Sequence, residues 1–144
     1  MKTRKKIIQT SITYTETGYL SDGKDKFITH SFDDEPALIY GNDGTKFWFK
    51  NGKKHRDNNL PALIWYNGDV VFYKNGKQYW IINNKKYYSY GEVIKKFKNN
   101  ILDLPNVENT NILKDNGIDA IWLDDYSYLI LDQSQYNLAI LKFL

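Results

Sequence analysis

Between His30 and Gly76 one short unit is written twice. His30 is matched by His55, Pro36-Ala37-Leu38-Ile39 by Pro61-Ala62-Leu63-Ile64, and Lys50-Asn51-Gly52-Lys53 by Lys74-Asn75-Gly76-Lys77. The offset is 25 residues at the histidine and proline and 24 at Asn-Gly. The lost residue falls in the turn, where Gly41-Asn42-Asp43-Gly44 faces the shorter Tyr66-Asn67-Gly68. A finer period lies inside: turn-type residues begin at Asp43, Asn51, Asn59, Asn67, Asn75 and Asn83, eight apart each time. Asn-Gly and Asp-Gly supply the positive φ that a two-residue type I′ hairpin turn needs at both central positions. Short segments joined by such turns predict an antiparallel meander. Its strands fall at about 37–41, 45–50, 62–66, 69–74, 77–82 and 85–88, with the polar stretch 53–60 as a connector.

Composition agrees. Tyr (12), Phe (7) and Trp (4) are abundant while Ala occurs four times, a balance that favours sheet over helix bundle. Both phases of the expected strands carry large apolar residues, so both faces of the sheet need cover. Tyr79–Tyr88 reads as a last, degenerate copy. Ser89-Tyr90-Gly91-Glu92 then has the form of a helix-capping box. Val93, Ile94, Phe97 and Ile101 form one apolar stripe, predicting a helix over about 90–100 and a natural lid for the sheet.

The flanks are less patterned. Lys6-Ile7-Ile8, Ile12–Thr15 and Lys26–Thr29 are strand-like, Asp22-Gly23 is a turn pair, and the first few residues are expected to fray. A short polar helix is expected over Asn106–Asn116, ended by Gly117. Two strands follow around an Asp124-Asp125 turn. Residues 136–143 suit a strand or a buried helix; strand is the expectation taken. The fold class is therefore mainly β (β-rich α+β): residues 1–88 a repeat meander, residues 89–144 a capping helix with a small C-terminal α/β appendage packed on the sheet.

The repeat resembles the His-Arg/Pro-Ala/Asn-Gly-Lys β-hairpin repeats, MORN-like in their Asn-Gly-Lys hairpins, of giant-virus and phage proteins. The likeness spans about residues 27–100 and includes the ending, Trp80–Lys85 followed by Tyr87–Glu92. The first copy departs from it with Ser31 in place of Arg, and Asn59-Leu60 stands where Gly is common. The resemblance implies a β-repeat scaffold and carries no catalytic residues.

Several chemistries are excluded. With no cysteine there is no disulfide, thiolate nucleophile or Cys-zinc site. Nucleotide-loop and nucleophile-elbow signatures are absent. No apolar run approaches a membrane span, and no apolar stretch follows the basic residues of the first six positions as a secretion signal would require. The expected protein is soluble and cytoplasmic, in the host cell or virion if the source is viral. His30 and His55 sit at one phase of the repeat, which points to a structural role, bonding a turn carbonyl or packing on the next unit. The competing reading is a shared metal with Asp33, Asp34 or Asp57 adding oxygen; no metal and no cofactor are expected. Those carboxylates with Glu35 lie in loops, where they usually accept turn N–H bonds, so general acid–base chemistry is not expected.

Charge is uneven: residues 1–100 hold 18 Lys+Arg against 10 Asp+Glu, a balance of +8, and residues 101–144 hold 2 against 7, a balance of −5. The reading taken is a non-enzymatic protein–protein interaction module, a viral or phage accessory or structural protein, self-association included. Trp48, Arg56, Trp65, Tyr73 and Tyr79 are the expected binding residues. One alternative is single-stranded nucleic-acid binding through an aromatic and basic sheet face, on those aromatics and Phe72 with Lys46, Lys50, Lys53, Lys54, Arg56 and Lys74. Another is a phage inhibitor of a bacterial defence enzyme such as a CRISPR effector.

Overall fold

The computed structural model describes residues 3–5, 9–10, 15–16, 19–21, 27–41, 43–104 and 109–143. The strand expectations at 6–8 and 12–14, the Asp22-Gly23 turn and the start of the helix at 106–108 lie outside them. Among the described residues the chain is β-rich, with sixteen short strands, all paired antiparallel, and three α-helices. Contacts divide it into two compact units, Met1–Tyr88 and Ser89–Leu144.

In the first unit the strands are β1 (Thr3–Lys5), β2 (Gln9–Thr10), β3 (Thr15–Glu16), β4 (Tyr19–Ser21), β5 (Phe27–Thr29), β6 (Leu38–Ile39), β7 (Lys46–Phe47), β8 (Phe49–Lys50), β9 (Lys53–Lys54), β10 (Leu63–Ile64), β11 (Val70–Lys74), β12 (Lys77–Ile82) and β13 (Lys85–Tyr87). Eight form one sheet in the order β13-β12-β11-β10-β7-β6-β3-β2. Each copy of the repeat contributes two hairpins. The first is β6–β7 in one copy and β10 with the start of β11 in the next. Its registers are Leu38 opposite Phe47 and Leu63 opposite Val71. The second is β8–β9, and the end of β11 with β12.

The same ladder occurs once more upstream, where the sequence carries no signature. Strand β2 pairs with β3 and β3 with β6, as β6 pairs with β7 and β7 with β10. Strands β4 and β5 form the matching second hairpin. Residues 27–29 thus close one copy and begin the next, as Lys53–Lys54 do. The backbone repeats three times and the sequence motif only twice, because antiparallel pairing is made by main-chain groups and tolerates any side chain that suits the pleat. Strand β1, where fraying was expected, is tied to β4 by three registered pairs.

The meander is right and its turns are of two kinds. At Asn51-Gly52, Asn75-Gly76 and Asn83-Asn84 both central residues have positive φ, as a type I′ turn demands. At Gly44 and Gly68 only the glycine does. There Asp43 and Asn67 accept the N–H of Thr45 (2.9 Å) and Asp69 (3.0 Å), building longer Asx-stabilised loops. Two expectations need correction. The strand drawn over 45–50 is broken at Trp48, whose N–H leaves the β8–β9 ladder for the carbonyl of Ala62 (2.8 Å). The stretch 53–60 is not all connector: Lys53–Lys54 is the return arm of the Asn51-Gly52 hairpin, because a tight I′ turn sends the chain straight back along its partner.

The second unit contains α1 (Tyr90–Phe97), a 3₁₀ turn at Lys98–Asn100, β14 (Ile101–Asp103), α2 (Asn109–Asp115), β15 (Ile121–Asp124), β16 (Ser127–Leu129) and α3 (Gln133–Phe143). Ser89 caps α1, its Oγ accepting the Glu92 N–H at 3.1 Å. Helix α2 ends as expected at Gly117, whose positive φ allows Ile118 N–H to reach the Leu113 carbonyl and Gly117 N–H that of Lys114, both at 2.9 Å. The Asp124-Asp125 turn joins β15 and β16. Residues 136–143 are helix, not strand. The signal is Asp132, whose carboxylate accepts Gln135 N–H (3.0 Å) and the Ser134 hydroxyl, an N-cap that starts α3 before the apolar run. The core of this unit gathers Leu102, Leu104, Leu113, Ile118, Tyr128, Ile130 and Ala139.

Candidate functional site

The two histidines do the same work. Strand β5 runs past the tip of the β8–β9 hairpin, with Gly52 N–H on the Thr29 carbonyl (2.9 Å) and Ser31 N–H on that of Phe49 (2.8 Å). His30, between them, is thereby aimed at the turn, and its Nδ1 accepts the Asn51 N–H at 3.1 Å. In the next copy Gly76 N–H meets the Lys54 carbonyl (2.8 Å), Arg56 N–H that of Tyr73 (3.4 Å), and His55 Nδ1 accepts the Asn75 N–H at 3.0 Å. Both rings are buried. An Nδ1 that accepts assigns the proton to Nε2. In His55 that Nε2–H donates to Asp57 at 2.7 Å. This hydrogen bond, the largest of several influences, holds the Asp57 carboxyl below the usual carboxylate range, and the nearby charges of Lys50 and Lys74 act the same way. The structural role expected of the histidines holds in kind; the group they bond is a turn N–H rather than a turn carbonyl.

The acidic run is turn chemistry. Asp33 and Asp34, and their counterparts Asn58 and Asn59, all have φ between 55° and 63°. Consecutive left-handed residues of this sort are tolerated by Asp and Asn because short polar side chains bond locally. Asp34 also joins the copies. Its carboxylate takes Arg56 Nε and Nη2 at 2.9 and 3.1 Å, and its carbonyl takes Trp48 Nε1 at 3.0 Å. Arg56 gives Nη1 to the Pro61 carbonyl (3.1 Å) and lies 3.9 Å above the Trp48 ring centre. Planarity suits the guanidinium to this bidentate, stacked position, which lysine cannot fill.

Among the described residues, clefts run around these loops and the neighbouring hairpin. The first, about 310 Å³, lies between the two histidine loops and is lined by His30, Asp33, Lys50, His55, Asp57 and Asn58 among others. The second, about 130 Å³, is its counterpart one copy on, lined by His55, Asn58, Lys74, Tyr79, Lys86 and Tyr88 among others. The third, about 300 Å³, is lined by Lys74, Asn75, Lys77, Gln78, Tyr79 and Tyr88. Among the described residues no group of three His, Asp or Glu side chains is arranged to hold a metal ion.

The five expected binding residues do not form one platform. Trp48 is 4% exposed and lies beneath Arg56. Tyr79 is 5% exposed, 5.5 Å from the Phe72 ring. Tyr73 is half-buried under the Lys54 ammonium, 5.0 Å from its ring centre. Burial pushes the Tyr73 and Tyr79 phenols above their ordinary range, with Tyr88 adding to the effect at Tyr79. Trp65 stands at the β10–β11 turn, its N–H on the Asp69 carbonyl (2.8 Å). Sequence reasoning missed the large apolar and aromatic side chains of the first unit that do face outward: Tyr88, Tyr66, Val70, Tyr40 and Leu60. The available signal was position, since each lies at a strand end or in a loop. In the second unit, Ser127 donates to Asp124 (2.9 Å) and bonds the Tyr90 hydroxyl (3.0 Å), closing the β15–β16 turn. No helix among the described residues is long and apolar enough to cross a membrane. Compared with protein-family models, with curated proteins and with solved structures, the chain matches none.

Proposed function

We propose that the chain is a non-enzymatic protein-binding module. One observation carries this reading: a row of side chains on one sheet face that stays partly open. Ile39, Lys46, Ile64 and Val70 lie opposite one another across four strands and so point the same way. All four are half-buried or exposed, whereas Leu38, Phe47, Leu63 and Val71, on the other face, are half-buried or fully buried. Exposed Tyr40 and Tyr66 follow the strands that carry the row. An apolar row interrupted by one lysine and bordered by tyrosines has the composition of an interface. Five titratable groups of the first cleft lend support, since His30, His55, Asp34, Asp57 and Arg56 are all engaged in building the repeat. The nucleic-acid reading is less well supported, because Trp48 and Tyr79 are buried. A viral or phage source, and with it a host enzyme as partner, rests on the repeat's resemblance alone.

The test is capture from nuclease-treated extract of the native host, followed by reconstitution with the purified partner in a calorimeter. One partner, bound by the wild type and lost with Val70→Asp, is the expected result. Binding that disappears with nuclease, or is untouched by Val70→Asp and Ile64→Lys together, counts against the module as drawn.

A further inference from the structure

The second and third clefts adjoin, both walled by Lys74, Tyr79 and Tyr88, and together line one side of the Asn75-Gly76 hairpin as a groove. We infer that this groove docks an acidic segment of a partner protein, an assignment that rests on the protein-binding reading above. Charge is the first argument. Lys74, Lys77 and Lys86 line the groove against a single carboxylate, Asp57, which is already bonded to His55. The described ion pairs of this unit, His55–Asp57 and Arg56–Asp34, take up none of the three lysines. The unit as a whole is basic: residues 1–88 hold 15 Lys+Arg against 9 Asp+Glu, a balance of 15 − 9 = +6. A basic concavity of this kind attracts and orients carboxylates.

Shape is the second. The Tyr88 ring, 67% exposed, stands 6.4 Å from the ring of buried Tyr79, so the groove has one accessible aromatic wall. Single strands of nucleic acid are held by successive bases stacking on successive rings. One open ring does not offer that, but it does suit an apolar side chain set among the acidic residues of a peptide. The lysines present point charges that adapt to scattered carboxylates, without the bidentate geometry of arginine.

The experiment uses the full chain and a fluorescein-labelled oligoglutamate of about a dozen residues, read by anisotropy at low salt and again near physiological ionic strength, where the Debye length is about 8 Å. Saturable binding that weakens with salt is expected, falling about tenfold in Lys74→Glu/Lys77→Glu and several-fold in Tyr88→Ala. Lys95→Glu/Lys96→Glu on α1 makes the same change of net charge and should stay within about twofold of wild type. Thermal melts confirm that each variant is folded. Absence of saturable binding, equal loss in the two double variants, or tighter binding of a labelled oligothymidine of equal length overturns the assignment, the last in favour of nucleic acid. A captured partner that binds Lys74→Glu/Lys77→Glu as well as wild type removes this groove and leaves the module standing; failure to capture any protein removes the module itself.

Discussion

His55→Phe tests the central contact of the repeat. The substitution keeps a ring of similar size in a buried position, so the cavity cost is small, and deletes the acceptor for the Asn75 N–H. A part-buried donor left without its partner costs about 1–3 kcal/mol. Losing the Asp57 bond adds little, since that carboxylate side chain is 73% exposed and water replaces the imidazole. A total of about 2 kcal/mol corresponds to a fall in Tm of about 8–16 °C for a unit of this size unfolding on its own. His30→Phe removes the equivalent bond to Asn51 and should cost the same within about 0.5 kcal/mol. The decisive assay is amide hydrogen exchange by NMR. His55→Phe should release the Asn75 amide and spare Asn51, and His30→Phe the reverse. Retained protection at Asn75 in folded His55→Phe, or a Tm equal to wild type, would refute the assignment of the histidines as turn clamps.

Other outcomes follow from single features. Gly52 and Gly76 are equivalent in the repeat and share φ near +81°, yet a Cβ at Gly52 would lie 2.9 Å from Ile28 Cγ2, whereas at Gly76 its nearest neighbour is Lys53 Cβ at 3.6 Å. Gly76→Ala should therefore cost only backbone strain, about 1–2 kcal/mol, and Gly52→Ala measurably more in urea unfolding; equal costs would show that Ile28 yields freely. Asp57 has a carboxyl held low in the fold, so its contribution is present above the unfolded-state value of about 3.9 and lost as pH falls through the lower folded value. The stability gap between wild type and Asp57→Asn, small because the side chain is exposed, should thus be steady from about pH 5 to 7 and close below about pH 4, and a gap unchanged at acid pH contradicts the His55–Asp57 bond. Ser89→Ala should lower the stability of the second unit by about 1 kcal/mol, with Ser89→Asp restoring it; amide exchange of the second unit's core residues reports this, and no difference among the three would remove the cap.

What the sequence revealed was whatever its side chains had to specify. Positive φ at Asn51-Gly52, Asn75-Gly76 and Asn83-Asn84 restricts the residue types, so those turns were visible at once, and so was the Ser89 cap. The upstream copy was hidden because a β ladder is written in main-chain groups. Strand β9 was hidden because Lys53-Lys54 has no strand propensity of its own and is placed by the turn before it. Helix α3 is hidden because its apolar run suits either a strand or a helix, and only the Asp132 cap ahead of it distinguishes the two. The paired histidines mark the loops that the clamps join, but burial is a property of the assembled sheet. Trp48 and Tyr79 looked like platform rings until the fold placed them inside, while Tyr88 and Lys77 gained prominence only from the groove they share.

The double duty of Lys53–Lys54, return arm of one hairpin and first strand of the next copy, gives the array a rule of growth. No cut between copies leaves two finished pieces, since each histidine clamps a turn that lies twenty or so residues ahead of it. A duplication or deletion of a whole period, for instance residues 30–54, from one histidine to the position before the next, keeps every remaining pair. The sheet can therefore lengthen or shorten by whole copies. Within a copy a change of one residue in the loop is absorbed, since the two clamps span 21 and 20 positions and both close.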